Sequence, residues 1–250
     1  MKELYSMLSK RVSIRKSRID NPFKTDDYNN IKTIIDSRMK EIKKLYDYNF
    51  KYELVDIKET NSKIGEFAIC IYSEKFSDNL YLINIGYIFE QLELYLESID
   101  IGVCWLGIPR PKKKDIDGLP HAIMLGLTKI NSDMLRKDEN DFKRKDYLWE
   151  GEFNNDVIIK SMLAPSSCNS QPWNVKYENN IISVYRNKKV KTIIPRSFLS
   201  YYNNIDMGIY LCFLEVALEY NNYKYDRKLM YEETDNSFIK IAEYKIKNGE

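Results

Sequence analysis

The sequence predicts an α+β protein made of two similar halves, and three observations lead there. Displaced by 122 positions, Ile83-Asn84-Ile85-Gly86 falls on Ile205-Asp206-Met207-Gly208, Leu92-Glu93 on Leu214-Glu215, and Leu96-Glu97 on Leu218-Glu219. Both windows lack proline and are apolar around most of a helical circumference, which describes a helix buried on most sides. Ahead of each window lie one helical stretch and two strand-like pieces, so helices and strands mix in both halves. Two such halves in one chain imitate a homodimer, with a pseudo-twofold axis between the two long helices.

The chain opens with Met1 to Arg18, which mixes Glu3 with many basic residues and lacks the apolar core of a secretory signal, so a cytosolic protein is expected. Within it, Arg11-Val12-Ser13-Ile14-Arg15 alternates polar and apolar residues. In an extended backbone the two guanidiniums and the hydroxyl share one face and can converge on an anion, for which Arg has matching geometry. In a helix Ser13 would point elsewhere, and with Lys10, Lys16 and Arg18 nearby a solvated basic end is the plainer alternative. Asp26 to Lys44 reads as helical, and Phe50 to Ile57 and Phe67 to Tyr72 read as strands. The first buried helix follows, carrying Ile83, Tyr87, Ile88, Leu92, Leu94, Tyr95 and Leu96.

Gly102 to Pro109 places two glycines around a strand-like stretch containing Trp105; it is either a core strand or backbone able to approach a planar ligand closely. Arg136 to Lys145 (RKDENDFKRK) is the most charged and least apolar stretch, the natural passage between halves spanning 1–145 and 146–250. Asn155 to Leu163 reads as a helix that Pro165 stops. The segment Ala164 to Trp173 is then dense in hydroxyls and carboxamides, with a Trp beside them. Carboxamides both donate and accept, which suits the edge of a heteroaromatic ring as well as a plain polar turn. Strands at Asn174 to Tyr177 and Ile181 to Tyr185 precede the second buried helix, with Ile209, Leu211, Phe213, Leu214, Val216 and Leu218.

Composition narrows the function classes. Thirty-nine Lys and Arg balance 37 Asp and Glu, a formal +2, so neither a nucleic-acid partner nor a polybasic membrane anchor is expected. The longest charge-free stretch, Ser161 to Val175, contains two prolines and is too short to span a bilayer. Cys70, Cys104, Cys168 and Cys212 form no C-x-x-C pair and His121 is the one histidine, which argues against a structural zinc site or a disulfide framework.

Taken together and in this order, the segments resemble the flavin-dependent nitroreductase family. Members open with R-x-S-x-R, here Arg11, Ser13 and Arg15; they carry an A-P-S-x-x-N-x-Q-P-W loop, here Ala164 to Trp173; and a G-L-G-x-x-W-x-G turn is relaxed here to Ile101 to Gly107. In the family the loop comes soon after the opening motif, whereas here it lies about 150 residues later. In family homodimers each FMN sits in the interface, with phosphate ligands from one subunit and ring contacts from the other. Here the first half keeps R-x-S-x-R but reads Lys43 to Phe50 where the loop belongs, and the second half keeps the loop alone. The resemblance therefore implies a nitroreductase-like fold with long buried central helices and mixed or antiparallel sheets, its two halves fused as a tandem pseudo-dimer with one complete FMN site.

By the same resemblance, Arg11, Ser13 and Arg15 hold the FMN phosphate and ribityl end, joined more loosely by Lys143 and Arg144. Pro165, Ser166, Asn169 and Gln171 line the ring from the other half, and the backbone around Leu106 and Gly107 faces its N5 edge. The implied activity is hydride transfer from NADH or NADPH through flavin to a nitroaromatic, quinone or similar small-molecule acceptor, with no covalent role for a side chain. A monomer suffices, because the chain supplies its own pseudo-dimer. The competing readings are a non-catalytic protein that stores or senses FMN, an interaction module without a ligand, and a Cys168 nucleophile served by His121.

Overall fold

The computed structural model describes residues 1–15, 22–76, 79–145 and 148–247. Lys16 and Arg18 of the basic opening segment and residue 146, where the second half was expected to begin, lie outside the described residues.

Two short helices come first, α1 (Tyr5–Leu8) and α2 (Tyr28–Met39). Strands β1 (Phe50–Asp56) and β2 (Phe67–Ser73) lead into the long helix α3 (Leu80–Glu97), followed by β3 (Ile101–Leu106), β4 (Asp115–Ile116) and β5 (Leu119–Lys129). Then come β6 (Trp149–Glu150), α4 (Asn155–Met162), β7 (Trp173–Glu178), β8 (Ile181–Asn187), the long helix α5 (Arg196–Tyr220), β9 (Lys224–Glu233) and β10 (Phe238–Lys247). The first sheet runs β1-β2-β5-β3 with β4 on β5, and the second runs β6-β7-β8-β10-β9. Every pairing is antiparallel except β6 with β7. The α+β class with antiparallel sheets is thus as expected, and the two sheets share one order: strand, strand, then the strand pair that follows the long helix, with its later member inside and its earlier member at the edge.

α3 and α5 cross in the middle of the molecule, and sequence dictates where. A Cβ on Gly86 would stand 2.0 Å from the Ile205 carbonyl oxygen, and one on Gly208 would stand 1.9 Å from that of Ile83, so only glycine lets the two backbones approach this closely. The contact is reciprocal, as between copies related by a twofold. Around it the helices bury nearly all of their middle turns, including Glu90, Glu93, Glu97, Asp206 and Glu215.

Local chemistry adjusts the expected boundaries. α2 ends at Met39: Lys40 and Glu41 N–H close tighter turns onto the Ser37 and Arg38 carbonyls (3.3 and 3.0 Å), and beyond them Lys43 N–H donates to Gln91 Oε1 (3.1 Å) and Leu45 and Tyr46 N–H to Asn84 Oδ1 (2.9 and 3.1 Å) of α3. β1 ends at Asp56, whose carboxylate accepts Lys58 N–H (2.8 Å) and opens a turn. α4 is capped by Asn154, which accepts from Asp156 and Val157 N–H (2.9 and 3.2 Å), the favoured use of an Asn there. No helix among the described residues is long and apolar enough to cross a membrane.

Candidate functional site

After α1 residues 11–15 form no regular element and pass beside β3, the outer strand of the first sheet, with Ile14 N–H donating to the Val103 carbonyl (3.1 Å). Gly102 permits this seating, since a Cβ there would collide with Ile14 at 2.7 Å. Arg11 is 2% exposed and is held from behind: Nε donates to Glu93 Oε1 (3.0 Å), and the terminal nitrogen bonds the same carboxylate and the Ser13 hydroxyl (3.0 Å each). Glu93 also accepts the Trp105 indole N–H, which reaches Glu90 Oε2 as well (3.1 Å). Burial, with Glu93 adding to it, pushes the carboxyls of Glu90 and Glu97 well above the ordinary range. Glu90 and Glu97 flank the buried Arg11–Glu93 ion pair, the contact that holds the guanidinium in place.

A second wall comes from residues 134–145. The Arg136 N–H donates to the Lys10 carbonyl (2.8 Å) and its guanidinium to the Arg11 carbonyl (2.5 Å). The guanidiniums of Arg136 and Arg144 sit 4.0 and 5.0 Å from the ring of Phe142, a cation–π arrangement that fixes both heads. Arg144 donates to Asn169 Oδ1 (2.9 Å) and the Leu163 carbonyl (2.7 Å), while its buried Nε has no partner among the described residues. Burial first, then the nearby Arg11 and Arg136, push Arg144 below the usual arginine range, and burial followed by Arg11 does the same to Arg136.

The third wall is the segment after α4. Cys168, Asn169 and Gln171 all adopt left-handed φ (50°, 54° and 51°), unusual for residues other than glycine and a form of strain that the surroundings must impose. They do: Gln171 N–H donates to Ser166 Oγ (2.9 Å), Asn169 Nδ2 to the Lys143 carbonyl (3.1 Å), and Gln171 Oε1 accepts Lys145 N–H (3.0 Å). Lys145 Nζ adds a bond to the Ser170 carbonyl (2.9 Å). From the other side, Asp206 of α5 accepts Ser167 N–H (2.9 Å) and the Ser167 hydroxyl (3.1 Å).

These walls enclose a cleft of about 670 Å³. Of the residues singled out in sequence, Arg11, Ser13, Arg15, Lys143, Arg144, Pro165, Ser166 and Asn169 line it together. Gln171 lies buried behind the wall, on Lys145 N–H. Leu106 and Gly107 are not part of the lining: Leu106 packs in a small cluster with Cys70, Tyr72 and Met124, and the Gly107 carbonyl accepts the Tyr202 hydroxyl (2.8 Å). Trp173 is fully buried and stacked on Tyr210 (4.9 Å). Sequence reasoning missed Arg136, Asp141 and Met134 in the lining, and Asp206 behind it, and it singled out Cys168 only as a nucleophile served by His121. Arg136 and Asp141 stand in the charged run already noticed, but spacing does not say which of its charges turn inward. Cys168 lines the cleft without His121, whose ring packs on Tyr72 of β2 (5.7 Å) and is pushed down to about 4 by burial and by Arg110.

Among the described residues five cations and one carboxylate, Asp141, thus line the cleft, and an anion there would relieve the mutual repulsion among its arginines. Guanidiniums match phosphate oxygens in geometry, and the volume is that of an ordinary ligand site.

A family described as "Putative TM nitroreductase" matches residues 3–218 of the chain. Among solved structures, the crystal structure of a "putative nitroreductase" from Thermotoga maritima MSB8 is similar over 95% of this chain and 93% of that one, with a TM-score of 0.60 and 18% identity, which speaks for a common fold. No curated protein matches the chain.

Proposed function

Since the chain belongs to the family described as "Putative TM nitroreductase", an oxidoreductase family, we propose that it is an FMN-dependent oxidoreductase using NADH or NADPH as reductant. The observation that carries this reading is the cleft in which Arg11, Ser13 and Arg15 meet Ser166 and Asn169 from the far side of the chain. The donor set fits a mononucleotide: crowded guanidiniums, a buried Arg144 Nε without a partner among the described residues, and hydroxyls and carboxamides beside them. FMN bound there would accept a hydride from the nicotinamide and pass it to a nitroaromatic, quinone or similar acceptor.

The residues of the chain would then act by binding and orienting. Arg11, aimed by Glu93 and Ser13, would hold the phosphate together with Arg15, Arg136, Lys143 and Arg144. Pro165, Ser166 and Asn169 would border the ring, and Gln171 would hold their loop in place through Lys145. Donors fixed in advance in this way stabilise negative charge on a reduced ring without reorganising.

The same reading extends to the architecture, as two nitroreductase-like halves, 1–145 and 146–250, fused into a monomeric pseudo-dimer with one complete site. Supporting it are the shared strand order, the reciprocal Gly86 and Gly208 contacts, and matched bonds at the same 122-residue displacement. Trp105 donates to Glu93 where Arg227 donates to Glu215 (2.7 Å), and Asn84 accepts Leu45 N–H where Asp206 accepts Ser167 N–H (2.9 Å each). The acceptor is a small molecule, and the compartment that fits the reading is the cytosol. Steady-state oxidation of NADH and NADPH by FMN-loaded protein, with and without a quinone, tests it: acceptor-dependent turnover supports the enzyme, and tight FMN binding without turnover favours a storage or sensing protein.

A further inference from the structure

Asp206 is a carboxyl buried in the long helix α5, and the partners of its oxygens come from the cleft loop: Ser167 N–H (2.9 Å), the Ser167 hydroxyl (3.1 Å) and the Ser170 hydroxyl (3.4 Å). The Ser170 hydroxyl is shared with Asn203 of the same helix (3.3 Å). The flanking loop residues Ser166 and Asn169 line the cleft, and Asn169 carries the bond to Arg144. One hundred and twenty-two positions earlier, Asn84 of α3 does the same work with a neutral group, accepting Leu45 and Tyr46 N–H. The protein therefore holds one loop with an amide that cannot titrate and the other, the one lining the cleft, with a group that can.

Resting on the mononucleotide reading of the cleft, we propose that Asp206 is a positioning residue whose proton couples loop closure to binding. Neutral, it fastens the loop as Asn84 fastens its own; ionised, it favours an opened loop in which water reaches the carboxylate. Closure over an anionic mononucleotide then takes up a proton from solvent onto an Asp206 oxygen. Around Asp206 the groups that face it are hydroxyls and amides, from the loop and from Asn203; Tyr210, one turn on, is engaged with Ser161 of α4 (3.4 Å). Burial and the bonds from Ser167 and Ser170 act on its titration, and the charged groups held on the loop are Lys145, on the Ser170 carbonyl (2.9 Å), and Arg144, on Asn169 Oδ1 (2.9 Å). Burial pushes the carboxyl up to about 7, against the opposing pull of the two serines, so the uptake falls near neutral pH. Because the closed form holds the proton more tightly than a hydrated one, linkage requires closure to weaken as pH rises through that value.

FMN affinity, read by quenching of free flavin fluorescence at pH 6 and pH 8, tests this in the full chain and in Asp206→Asn. The wild type is expected to lose about tenfold more affinity than the variant over that interval, since the loss approaches tenfold per pH unit below the bound-state value of about 7 and levels off above it. Amide exchange across 166–171 without ligand should show wild-type protection falling with pH relative to the variant. The reverse swap, Asn84→Asp, should bring the same pH dependence to exchange at 43–46 and stands in if Asp206→Asn does not fold. Equal pH slopes in wild type and variant, by fluorescence and by exchange, would overturn the proposal. Protein that binds no FMN at either pH yet shows the exchange difference keeps the latch and loses the cofactor reading.

Discussion

Replacing Arg11 with Ala removes the one cation bonded to Glu93 and leaves a carboxylate at zero exposure in the helix core, beside Glu90 and Glu97. Breaking a buried pair by deleting one partner costs about 3–5 kcal/mol, a large part of a typical domain stability. The size of the loss should depend on pH, with a definite sign. Without Arg11, Glu93 is an unpaired carboxylate at zero exposure, and burial then favours its neutral form over the charged one. The penalty of ionising it is then present above the folded value and vanishes as pH falls toward the unfolded one. Urea denaturation of Arg11→Ala should show a deficit of about 3–5 kcal/mol at pH 8. At pH 5 about 1–2 kcal/mol should remain, the worth of the lost hydrogen bonds. Adding Glu93→Gln to Arg11→Ala should remove the pH dependence. An Arg11→Ala deficit equal at the two pH values, or below about 1 kcal/mol at pH 8, would refute the buried-pair account, since those bonds alone are worth about that much.

Other outcomes follow from the same geometry. Gly208→Ala forces a methyl onto the Ile83 carbonyl oxygen at 1.9 Å and should cost about 3 kcal/mol or more, read as a large drop in melting temperature, with Gly86→Ala behaving alike. Asp206→Asn should be more stable than wild type at pH 8 by up to about 4 kcal/mol, as about three pH units at 1.36 kcal/mol each, and the gain should shrink toward pH 5 in a urea series. Arg144→Ala should weaken FMN binding by about 1.5–3 kcal/mol in a fluorescence titration, one charge-assisted bond, whereas Ala at the surface residue Lys114 should leave affinity unchanged.

Much of the fold is written plainly in the sequence because burial and proline constrain it strongly. The two long helices announce themselves by apolar residues on every side, and the polar segment after Pro165 is marked by a stopped helix. The strands β5, β9 and β10 are harder to see. β9 alternates exposed and half-buried side chains, Lys224-Tyr225-Asp226-Arg227-Lys228, so its charges hide its pairing. β5 is a nearly continuous buried run, which by composition alone reads equally as helix. In the site, the alternation of Arg11, Ser13 and Arg15 is visible in sequence, but spacing alone leaves a solvated basic end open, and only the tertiary placement puts all three on the cleft. Arg136 and Asp206 are not legible, because which charge of a run turns inward, and what a lone acid in an apolar helix bonds, are set by tertiary packing. Asp206 left one visible trace, its alignment with Asn84 in the displaced copy.

The number of FMN molecules bound per chain, measured by calorimetric titration of apo-protein, tests the central claim most directly. One per chain is expected, with binding lost in an Arg15→Ala, Arg144→Ala double variant that keeps the wild-type circular dichroism. No binding, two equivalent sites, or full affinity in that double variant would contradict a single phosphate-holding cleft shared by the two parts of the chain.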